Sequence, residues 1–300
     1  MSLPTASLPR RLLDNAPLVV FFLLLFDSFH LVFARLLAPL LPPLVASFYV
    51  MAVATVQLAV GMAWLGQLRW SVLWEHFWFF AAVGGLVGGA MVFSYTSMTY
   101  IDPGTGSLLA RASTIFSIGF GLVWLRERLN ALGWVGTAVA LVGVVIISFQ
   151  PGDFWQLGAL FVLGSSFMYA LHAAVVKRYG GEIDFANFFF FRVLGTSVIL
   201  LAAVLGSGSW EWPNTAAWLI LLITATVDVV LSRVLYYLVL RRIEMSFHAI
   251  ILTLSPAITI FWSWLFFNQW PTWQGMGGGL LTIAGVALVT RSRQARKDRV

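Results

Sequence analysis

The sequence predicts an all-α integral membrane protein whose ten transmembrane helices form two inverted five-helix repeats. Three observations predict this fold: the composition, an internal repeat and the distribution of basic residues. Of the 300 residues, 60% are hydrophobic and 10% are charged, and the mean hydropathy is +0.90. Apolar runs of roughly 20 residues, enough to cross the hydrocarbon layer, recur along the chain. Because these runs are continuous rather than alternating, helices are favoured over strands.

The internal repeat is clearest in Ser113–Ile147, which recurs 142 residues later as Ser255–Val289. The same offset aligns further pairs, namely Gly136 with Gly278, Gly143 with Gly285, His30 with His172, Tyr95 with Tyr237 and Asp102 with Glu244. Each half then holds five helices. Because five is odd, the second half starts from the opposite face of the membrane, as in transporters built from inverted repeats.

Breaks that are rich in Pro, Gly or charge separate the helices. We predict helices over Pro17–Leu36, Leu44–Leu65, His76–Met98, Pro103–Leu125, Ala131–Phe149, Leu157–Val176, Phe185–Gly206, Thr215–Leu240, Met245–Phe267 and Thr272–Thr290. The first apolar run follows two arginines but lacks a small-residue cleavage site, so we expect it to be retained. The predicted organisation is a cytoplasmic N-terminal tail (1–17), a first repeat (18–149), an external linker (150–159), a second repeat (160–291) and a basic cytoplasmic tail (292–300).

The basic residues fit this topology. With the N-terminus in the cytoplasm, the cytoplasmic segments hold fourteen of the eighteen Lys and Arg residues and the external loops hold none. This is the asymmetry of the positive-inside rule, so we expect an inner (plasma) membrane protein with both termini inside. The formal charge of +6 is then explained by topology rather than by nucleic-acid binding. The expected partners are the lipid bilayer and a small-molecule substrate, and the oligomeric state stays open, with a monomer included.

The fourth and fifth helices of each half resemble the EamA-type exporters of the drug/metabolite transporter superfamily. The residues that carry the resemblance are Leu125-Arg126-Glu127-Arg128 with Gly133, Gly136 and Gly143, and Pro256 with Gly275, Gly278 and Gly285. The chain departs from the family pattern at Gln269, where Glu is usual, and at Thr114, where Pro is frequent. The resemblance covers residues 18–291 and implies metabolite export. It also implies that the helices carrying Tyr95, Tyr100, Tyr169, Tyr237 and Trp262 line a cavity, and we predict that Tyr95, Tyr169 and Tyr237 bind substrate. Trp124 comes from a helix of the same set but is interpreted as part of the interfacial aromatic belt.

Charged residues inside the predicted helices need a reason, because a charge at the bilayer centre costs about 2.5–3.5 kcal/mol. Asp27 and His30 lie one turn apart in the first helix. They are either a proton-coupling or cation-contacting pair, or structural residues in which Asp27 bonds a neighbouring helix with His30 as its partner. Asp228 is the third coupling candidate. It lies about 140° around the helix axis from Arg233, so we expect each to find a partner on another helix or to face the cavity.

Arg111 is the main candidate for holding a substrate carboxylate or for pairing with Asp27, because its planar donor fork suits a carboxylate. Arg233 is the second substrate-binding candidate. Arg192 and Arg35 lie nearer the ends of their helices, where snorkelling favours a structural role. His172 and His248 are ambiguous, and the glycine clusters Gly84–Gly89 and Gly275–Gly279 are interpreted as helix-packing surfaces.

These features favour a secondary exporter of a small polar metabolite that is carboxylate-bearing or zwitterionic, such as an amino acid or an opine-type metallophore. The sequence has no Walker motif, so the energy comes from a gradient or from exchange. An alternative is a gated facilitator or exchanger of uncharged drugs or metabolites. A channel and an intramembrane enzyme are weaker hypotheses, because HExxH, GxSxG and Cys nucleophiles are absent. We therefore predict no catalytic residue, no metal and no cofactor.

Overall fold

The structure of the protein, a computed structural model, describes residues 16–124, 131–148, 157–181, 183–236 and 255–297. Within these ranges the regular elements are all helices. In chain order they are α1 (Ala16–Asp27), α2 (His30–Leu37), α3 (Pro43–Trp64), α4 (Trp70–Glu75), α5 (Phe77–Ser97), α6 (Pro103–Ala110), α7 (Ala112–Val123), α8 (Ala131–Ser148), α9 (Leu157–Tyr179), α10 (Phe185–Ser207), α11 (Thr215–Tyr236), α12 (Ser255–Phe267) and α13 (Trp273–Lys297).

Each predicted helix overlaps one or two of these elements. Five of the described helices, α3, α5, α9, α10 and α11, are long and apolar enough to cross a membrane. Shorter apolar helices are present at α8, α12 and the Trp273–Val289 part of α13. The first half of the predicted helix Met245–Phe267 lies outside the described residues. The all-α prediction is therefore supported by every described element.

Two predicted helices are wrong in one respect, because they are interrupted near their middles. Pro17–Leu36 is divided into α1 and α2 at Ser28 and Phe29, where the Ser28 hydroxyl donates to the carbonyl of Leu25 at 2.7 Å. Pro103–Leu125 is divided into α6 and α7 at Arg111, whose N–H bonds the carbonyl of Leu108, three residues back. Such short-range bonds tighten the backbone and end the regular α-helical pattern.

A third irregularity lies in α11, where Ala225–Leu231 form a π-helical turn. The N–H of Ser232 bonds the carbonyl of Val227, five residues back, which is the wider spacing of a π-helix. Asp228 lies within this turn. The three irregular segments therefore carry or adjoin Asp27, Arg111 and Asp228, so the charged residues occur where the helices depart from regular geometry.

The two halves of the chain meet where α8 packs against α13 through glycine. A Cβ atom placed on Gly143 would lie 2.5 Å from the carbonyl oxygen of Gly278, and one on Gly285 would lie 2.5 Å from that of Gly136. Exchanging the halves by the 142-residue offset maps the Gly136–Gly285 contact onto the Gly278–Gly143 contact. The two helices are therefore antiparallel and related by an approximate two-fold axis perpendicular to them, which is the relation that inverted repeats require.

Glycine also brings α5 close to α10. A Cβ atom on Gly84 would lie 2.8 Å from the carbonyl carbon of Gly195, so the two backbones pack directly against each other. The interpretation of these glycines as packing surfaces is confirmed at Gly84, Gly278 and Gly279, where a Cβ would meet atoms of a neighbouring helix. It is wrong at Gly277, which faces open space.

The bundle has two ends, which we name after a helix-capping aspartate at each. At the Asp184 end, Asp184 caps α10 by accepting from the N–H of Asn187 and forms an ion pair with Arg69. At the Asp102 end, Asp102 caps α6 by accepting from the N–H of Thr105 at 2.9 Å. Contacts across neighbouring helices, such as Ile101 with Gly158 and Pro271 with Gly104, belong to the Asp102 end.

We predict that Gly285→Ala destabilises the protein by about 1–3 kcal/mol, because the new methyl group would collide with backbone atoms of α8 that cannot move aside. Gly277→Ala on the same helix is the matched control, since a Cβ there meets nothing within 4 Å. The control is expected to be neutral or stabilising by up to about 1 kcal/mol. Thermal unfolding in detergent measures both, and equal melting temperatures for the two variants would contradict the packing.

A second prediction concerns the cap at Asp184. Burial raises the pKa of this carboxyl, but hydrogen bonds from Asn187 and the Arg69 guanidinium outweigh it, so the pKa lies below its ordinary value of 3.8. The ionised carboxylate therefore stabilises the fold above that pH, and the contribution is lost as the pH falls through the lowered value. We expect Asp184→Ala to cost about 1 kcal/mol at neutral pH. The deficit in melting temperature relative to wild type should be largest at pH 7 and should shrink progressively as the pH falls below 3.8. A deficit independent of pH would refute the stabilising role of the carboxylate.

Candidate functional site

A cavity of about 610 Å³, whose mainly apolar wall carries several charged and polar side chains, lies inside the bundle. Its walls come from both halves of the chain: α1 and α2, α5, α6 and α7, α9, α10, α11 and α12 each contribute residues. The lining runs from Asp27 and Ser107, deep in the bundle, to Phe120 and Lys177 near the Asp184 end. A cavity of this size accommodates a small molecule.

The interrupted helices supply the charged groups of this cavity. Asp27 ends α1, Arg111 joins α6 to α7, and both line the cavity. Irregular backbone is tolerated at membrane depth only where it is buried in protein or lines a cavity, because lipid cannot satisfy the freed N–H and C=O groups. The cavity therefore accounts for the helix interruptions, because their backbone groups adjoin it instead of facing lipid.

His30 of α2 and Asp228 of α11 form a short ionic contact. The Nδ1 atom of His30 lies 2.7 Å from Oδ2 of Asp228, and Nε2 of His30 lies 3.2 Å from the hydroxyl of Ser94 on α5. The interpretation of His30 as a partner of Asp27 is wrong. The interruption at Ser28 separates these two residues into different helices, and His30 binds Asp228 instead.

Asp27 is held by a second set of contacts. Its Oδ1 lies 3.6 Å from Nη1 of Arg233, and its Oδ2 accepts a hydrogen bond from the hydroxyl of Ser255 at 3.1 Å. Arg233 thus pairs with Asp27 of α1, and Asp228 pairs with His30 of α2, rather than with each other, as the 140° separation predicts. These two charged contacts join α1 and α2 to α11.

Two further arginines line the cavity. Arg111 is within electrostatic range of both Asp27 and Arg233. Arg192 on α10 is only 7% exposed and lies 5.9 Å from the ring centre of Phe189. The prediction that Arg192 snorkels to the surface is wrong, because the side chain is buried in the cavity wall. Arg35 behaves as predicted for a structural residue: its guanidinium donates to the carbonyl of Met98.

The predicted aromatic residues divide into two groups. Tyr169 lines the cavity, whereas Tyr95 is 1% exposed and lies behind the wall, with its ring 6.1 Å from that of His30. Tyr237 lies outside the described residues, as does His248. Trp262, implied as a cavity residue by the family resemblance, instead stacks on Phe29 at 4.7 Å.

Trp124 is also absent from the cavity wall. Its ring lies 5.8 Å from the guanidinium of Arg178 at the Asp184 end. The substrate-binding and coupling roles assigned from the sequence remain predictions for every one of the candidate residues, including those that line the cavity.

The cavity also contains a histidine whose role the sequence analysis left open and several serines that it did not assign to the site. His172 lines the cavity, is 9% exposed, and its Nε2 has no hydrogen-bond partner among the described residues. Its alignment with His30 through the repeat was the available signal. Serine is also frequent in the wall. Ser107 shares the helix face of Arg111, but in an apolar helix a single Ser gives no distinctive pattern, and the missed residues include Ser94, Ser117, Ser165 and Ser166.

Most of these serine hydroxyls donate a hydrogen bond to a backbone carbonyl. Ser107 donates to the carbonyl of Gly104 at 2.7 Å, Ser117 to that of Ser113 at 2.8 Å and Ser165 to that of Ala90 at 2.7 Å. A hydroxyl that donates to the backbone still offers its lone pairs. The cavity wall therefore presents hydrogen-bond acceptors along its serine surface and donors at its guanidinium groups.

The charge of the cavity is positive on balance. Three arginines, Arg111, Arg192 and Arg233, and Lys177 line it, and Asp27 is the one carboxylate in its wall among the described residues. Asp228 lies behind the wall, 2% exposed and bound to His30. In surroundings of low dielectric constant, this excess of positive charge favours an anionic group in the cavity.

Comparison with known proteins identifies transporters. An uncharacterized transporter of Bacillus subtilis, YdfC, is 29% identical over 196 residues, or 62% of each chain. A riboflavin transporter of Vibrio cholerae is 25% identical over 197 residues, or 65% of each chain. Human solute carrier family 35 member G1 is 22% identical over 222 residues, or 68% of this chain and 60% of that one. The chain spans less than two thirds of the length of these relatives.

The fold and the family are also matched by wider comparisons. A solved crystal structure with 17% sequence identity superposes with a TM-score of 0.64 over 94% of this chain and 99% of that chain, which indicates a shared fold. The model of the EamA-like transporter family matches residues 15–149 and again residues 156–291. Two copies of the family domain thus account for most of the sequence, and the chain belongs to the EamA-like transporter family.

Proposed function

We propose that the protein is a secondary-active exporter of a small metabolite that is carboxylate-bearing or zwitterionic. The observation that carries this proposal is the cavity wall in which Arg111, Arg192 and Arg233 face a single carboxylate, Asp27, among the described residues. A guanidinium group binds a carboxylate through two parallel hydrogen bonds, which gives both affinity and orientation. The serine acceptors in the same wall suit the N–H groups of an ammonium or amide.

Alternating access is supported by the repeat. The cavity approaches the Asp184 end beside Gly121 and Val176. Their equivalents in the other half are Ser263 and Ala34, which are 0% and 1% exposed. In the proposed mechanism, the two halves exchange conformations, so these buried residues would line an opening toward the Asp102 end. Trp262, stacked on Phe29, would then be the barrier that moves.

The proposed membrane topology has ten spans, with the Asp184 end in the cytoplasm of a cell whose inner membrane holds the protein. Among the described residues, Arg69, Lys177 and Arg178 lie at this end, and the positive-inside rule assigns such an end to the cytoplasm. Both termini are then cytoplasmic. A cavity that approaches the cytoplasm is ready to load a metabolite for export.

The proposal is a transport function, and it keeps one competing substrate class. Ser94, His30 and Asp228 are in contact in that order, but the named relatives are transporters. The relative named as a riboflavin transporter keeps open an uncharged, ring-bearing substrate, carried by a gated facilitator or exchanger. Phe120 and Tyr169 in the wall could stack on such a ring.

We predict that purified protein in liposomes takes up amino acids but not their methyl esters, because esterification removes the carboxylate. The panel comprises alanine, phenylalanine and glutamate, their methyl esters, their N-acetyl derivatives and riboflavin. Uptake of N-acetyl derivatives would indicate a carboxylate carrier, and uptake of the free amino acids alone would indicate a zwitterion carrier. Transport of riboflavin or of the esters, without the acids, would contradict the proposal and support the uncharged class.

Arg111→Gln should weaken carboxylate uptake by about 10- to 100-fold, since a hydrogen bond to a charged group contributes about 1.5–3 kcal/mol. Arg111→Lys should lose less, because it keeps the charge but not the planar fork. Arg178→Gln is the matched control, since Arg178 is exposed at the Asp184 end and outside the cavity. Apparent affinity measured from initial rates decides the matter, and equal affinities for Arg111→Gln and Arg178→Gln would remove Arg111 from the site.

A further inference from the structure

We infer that the His30–Asp228 pair is the proton-binding site that couples a pH gradient to the conformational exchange, and that Asp27 does not carry this proton. The inference rests on the proposed function, since it assigns the driving ion to the same cavity. It keeps two of the three sequence candidates for coupling, His30 and Asp228, and rejects Asp27, by the contacts that each one makes.

The hydrogen bonds of His30 are compatible with both the neutral and the charged imidazole. In either state, an Nδ1–H donates to Oδ2 of Asp228 at 2.7 Å. When the ring is neutral, Nε2 accepts from the hydroxyl of Ser94, and when the ring is charged, Nε2–H donates to the oxygen of Ser94, 3.2 Å away. A hydroxyl can serve in both roles because its proton rotates. The pair can therefore gain and lose a proton without rearranging its heavy atoms.

The proton has a direct route to this site. His30 and Ser94 both line the cavity, whereas Asp228 lies behind them at 2% exposure. Proton uptake from the cavity forms one N–H bond at Nε2 and adds one positive charge, and release breaks the same bond. No other covalent bond changes. The carboxylate of Asp228 remains a hydrogen-bond acceptor throughout and balances the charge of the imidazolium.

The groups around the pair also fit a proton site. Asp228 interacts electrostatically with Arg233 on its own helix and with Arg192 on α10, while Tyr95 on α5 and Tyr169 on α9 are within electrostatic range of its carboxylate. Oδ1 of Asp228 and the hydroxyl of Tyr95 are buried and have no hydrogen-bond partner within the described ranges. Unsatisfied buried polar atoms are costly in a purely structural ion pair and are expected where protonation changes.

Asp27 makes different contacts. Both its oxygens face donors, the guanidinium of Arg233 and the hydroxyl of Ser255. Protonation of Asp27 would leave the buried charge of Arg233 without this partner, which is strongly unfavourable in a low-dielectric interior. Asp27 therefore serves as a fixed counter-charge that positions Arg233.

The repeat provides an internal control. His172 occupies the position of His30 in the second half, and the equivalent of Asp228 in the first half is Leu86. His172 accordingly lines the same cavity, and within the described part of the chain it has no carboxylate partner and its Nε2 has no hydrogen-bond partner. This histidine occupies the repeat-equivalent position, is more buried than His30, and lacks the acidic half of the pair among the described residues.

Proton binding is tested first by histidine NMR in lipid nanodiscs. The chain has four histidines, so ¹⁵N-labelled imidazole signals can be assigned by single His→Gln variants. We expect the His30 signals to report proton binding and release across the pH series. In Asp228→Asn this response should change, because an adjacent charge is removed, while the response of the His172 signals stays unchanged. A His30 ring that keeps one protonation state, or ignores Asp228→Asn, overturns the inference.

Coupling is tested by the opening of the cavity. The chain has no cysteine, so Ser117→Cys can report labelling of the cavity by a thiol reagent, and the exposed Ser207→Cys corrects for the pH dependence of the thiol itself. We expect the corrected rate to change by more than about threefold across pH 6–8, against a limit of about tenfold per pH unit for one linked proton. The change should vanish with His30→Gln or Asp228→Asn.

His172→Gln in the same labelling experiment should preserve the pH response, whatever it does to transport. A response that is absent in the Ser117→Cys protein, or that survives His30→Gln, refutes the coupling role. Neither readout uses a substrate, so failure of the amino-acid panel would reject the proposed substrate class and leave this test intact. The NMR measurement on the unaltered chain also protects the result from variants that fold poorly.

Discussion

Two charged contacts join α1 and α2 to α11 beside the cavity of this protein. Asp27 pairs with Arg233 and His30 pairs with Asp228, and all four side chains are buried or half-buried inside the bundle. Removing one partner from such a pair leaves an uncompensated buried charge, which costs several kcal/mol. The contacts therefore fix how the first helix sits against α11, and with it the shape of the cavity between the halves.

The glycine contact between α8 and α13 has the opposite character. It is apolar, it involves direct backbone approach, and its two contacts, Gly136–Gly285 and Gly143–Gly278, are equivalent under exchange of the halves. A symmetric contact favours neither of the two exchanged conformations. The charged contacts are asymmetric, because His30 has an acidic partner and His172 has Leu86 in the corresponding position. We infer that the glycine contact between α8 and α13 permits the two halves to exchange conformations, while the two charged pairs decide which conformation is favoured.

Much of the fold could be predicted from the sequence. Helix length and hydrophobic continuity are properties of single segments, and the 142-residue offset follows from comparing two segments of the same chain. The separate partners of Asp228 and Arg233 followed from the helical period. The interruptions at Ser28 and Arg111 could not be predicted in this way, since a local departure from helical geometry depends on which groups the neighbouring helices offer. That error also produced the wrong partner for His30.

The candidate site was predictable only in part, for a related reason. A charge in an apolar helix is conspicuous, so Arg111, Asp27 and Asp228 were found. Arg192 was misinterpreted because sequence position gives depth along a helix but not the direction that the side chain faces. Cavity serines such as Ser165 were missed because Ser also packs between membrane helices without any ligand.

The central claim is that the cavity selects anions. The rate at which charged thiol reagents modify Ser117→Cys tests it most directly, with a sulfonate-bearing and a trimethylammonium-bearing methanethiosulfonate compared on the same protein. The account predicts an anion-to-cation rate ratio about tenfold or more above that of the exposed Ser207→Cys. It also predicts that Arg111→Gln lowers this ratio. Equal ratios at the two positions, or faster reaction of the cationic reagent inside the cavity, would contradict it.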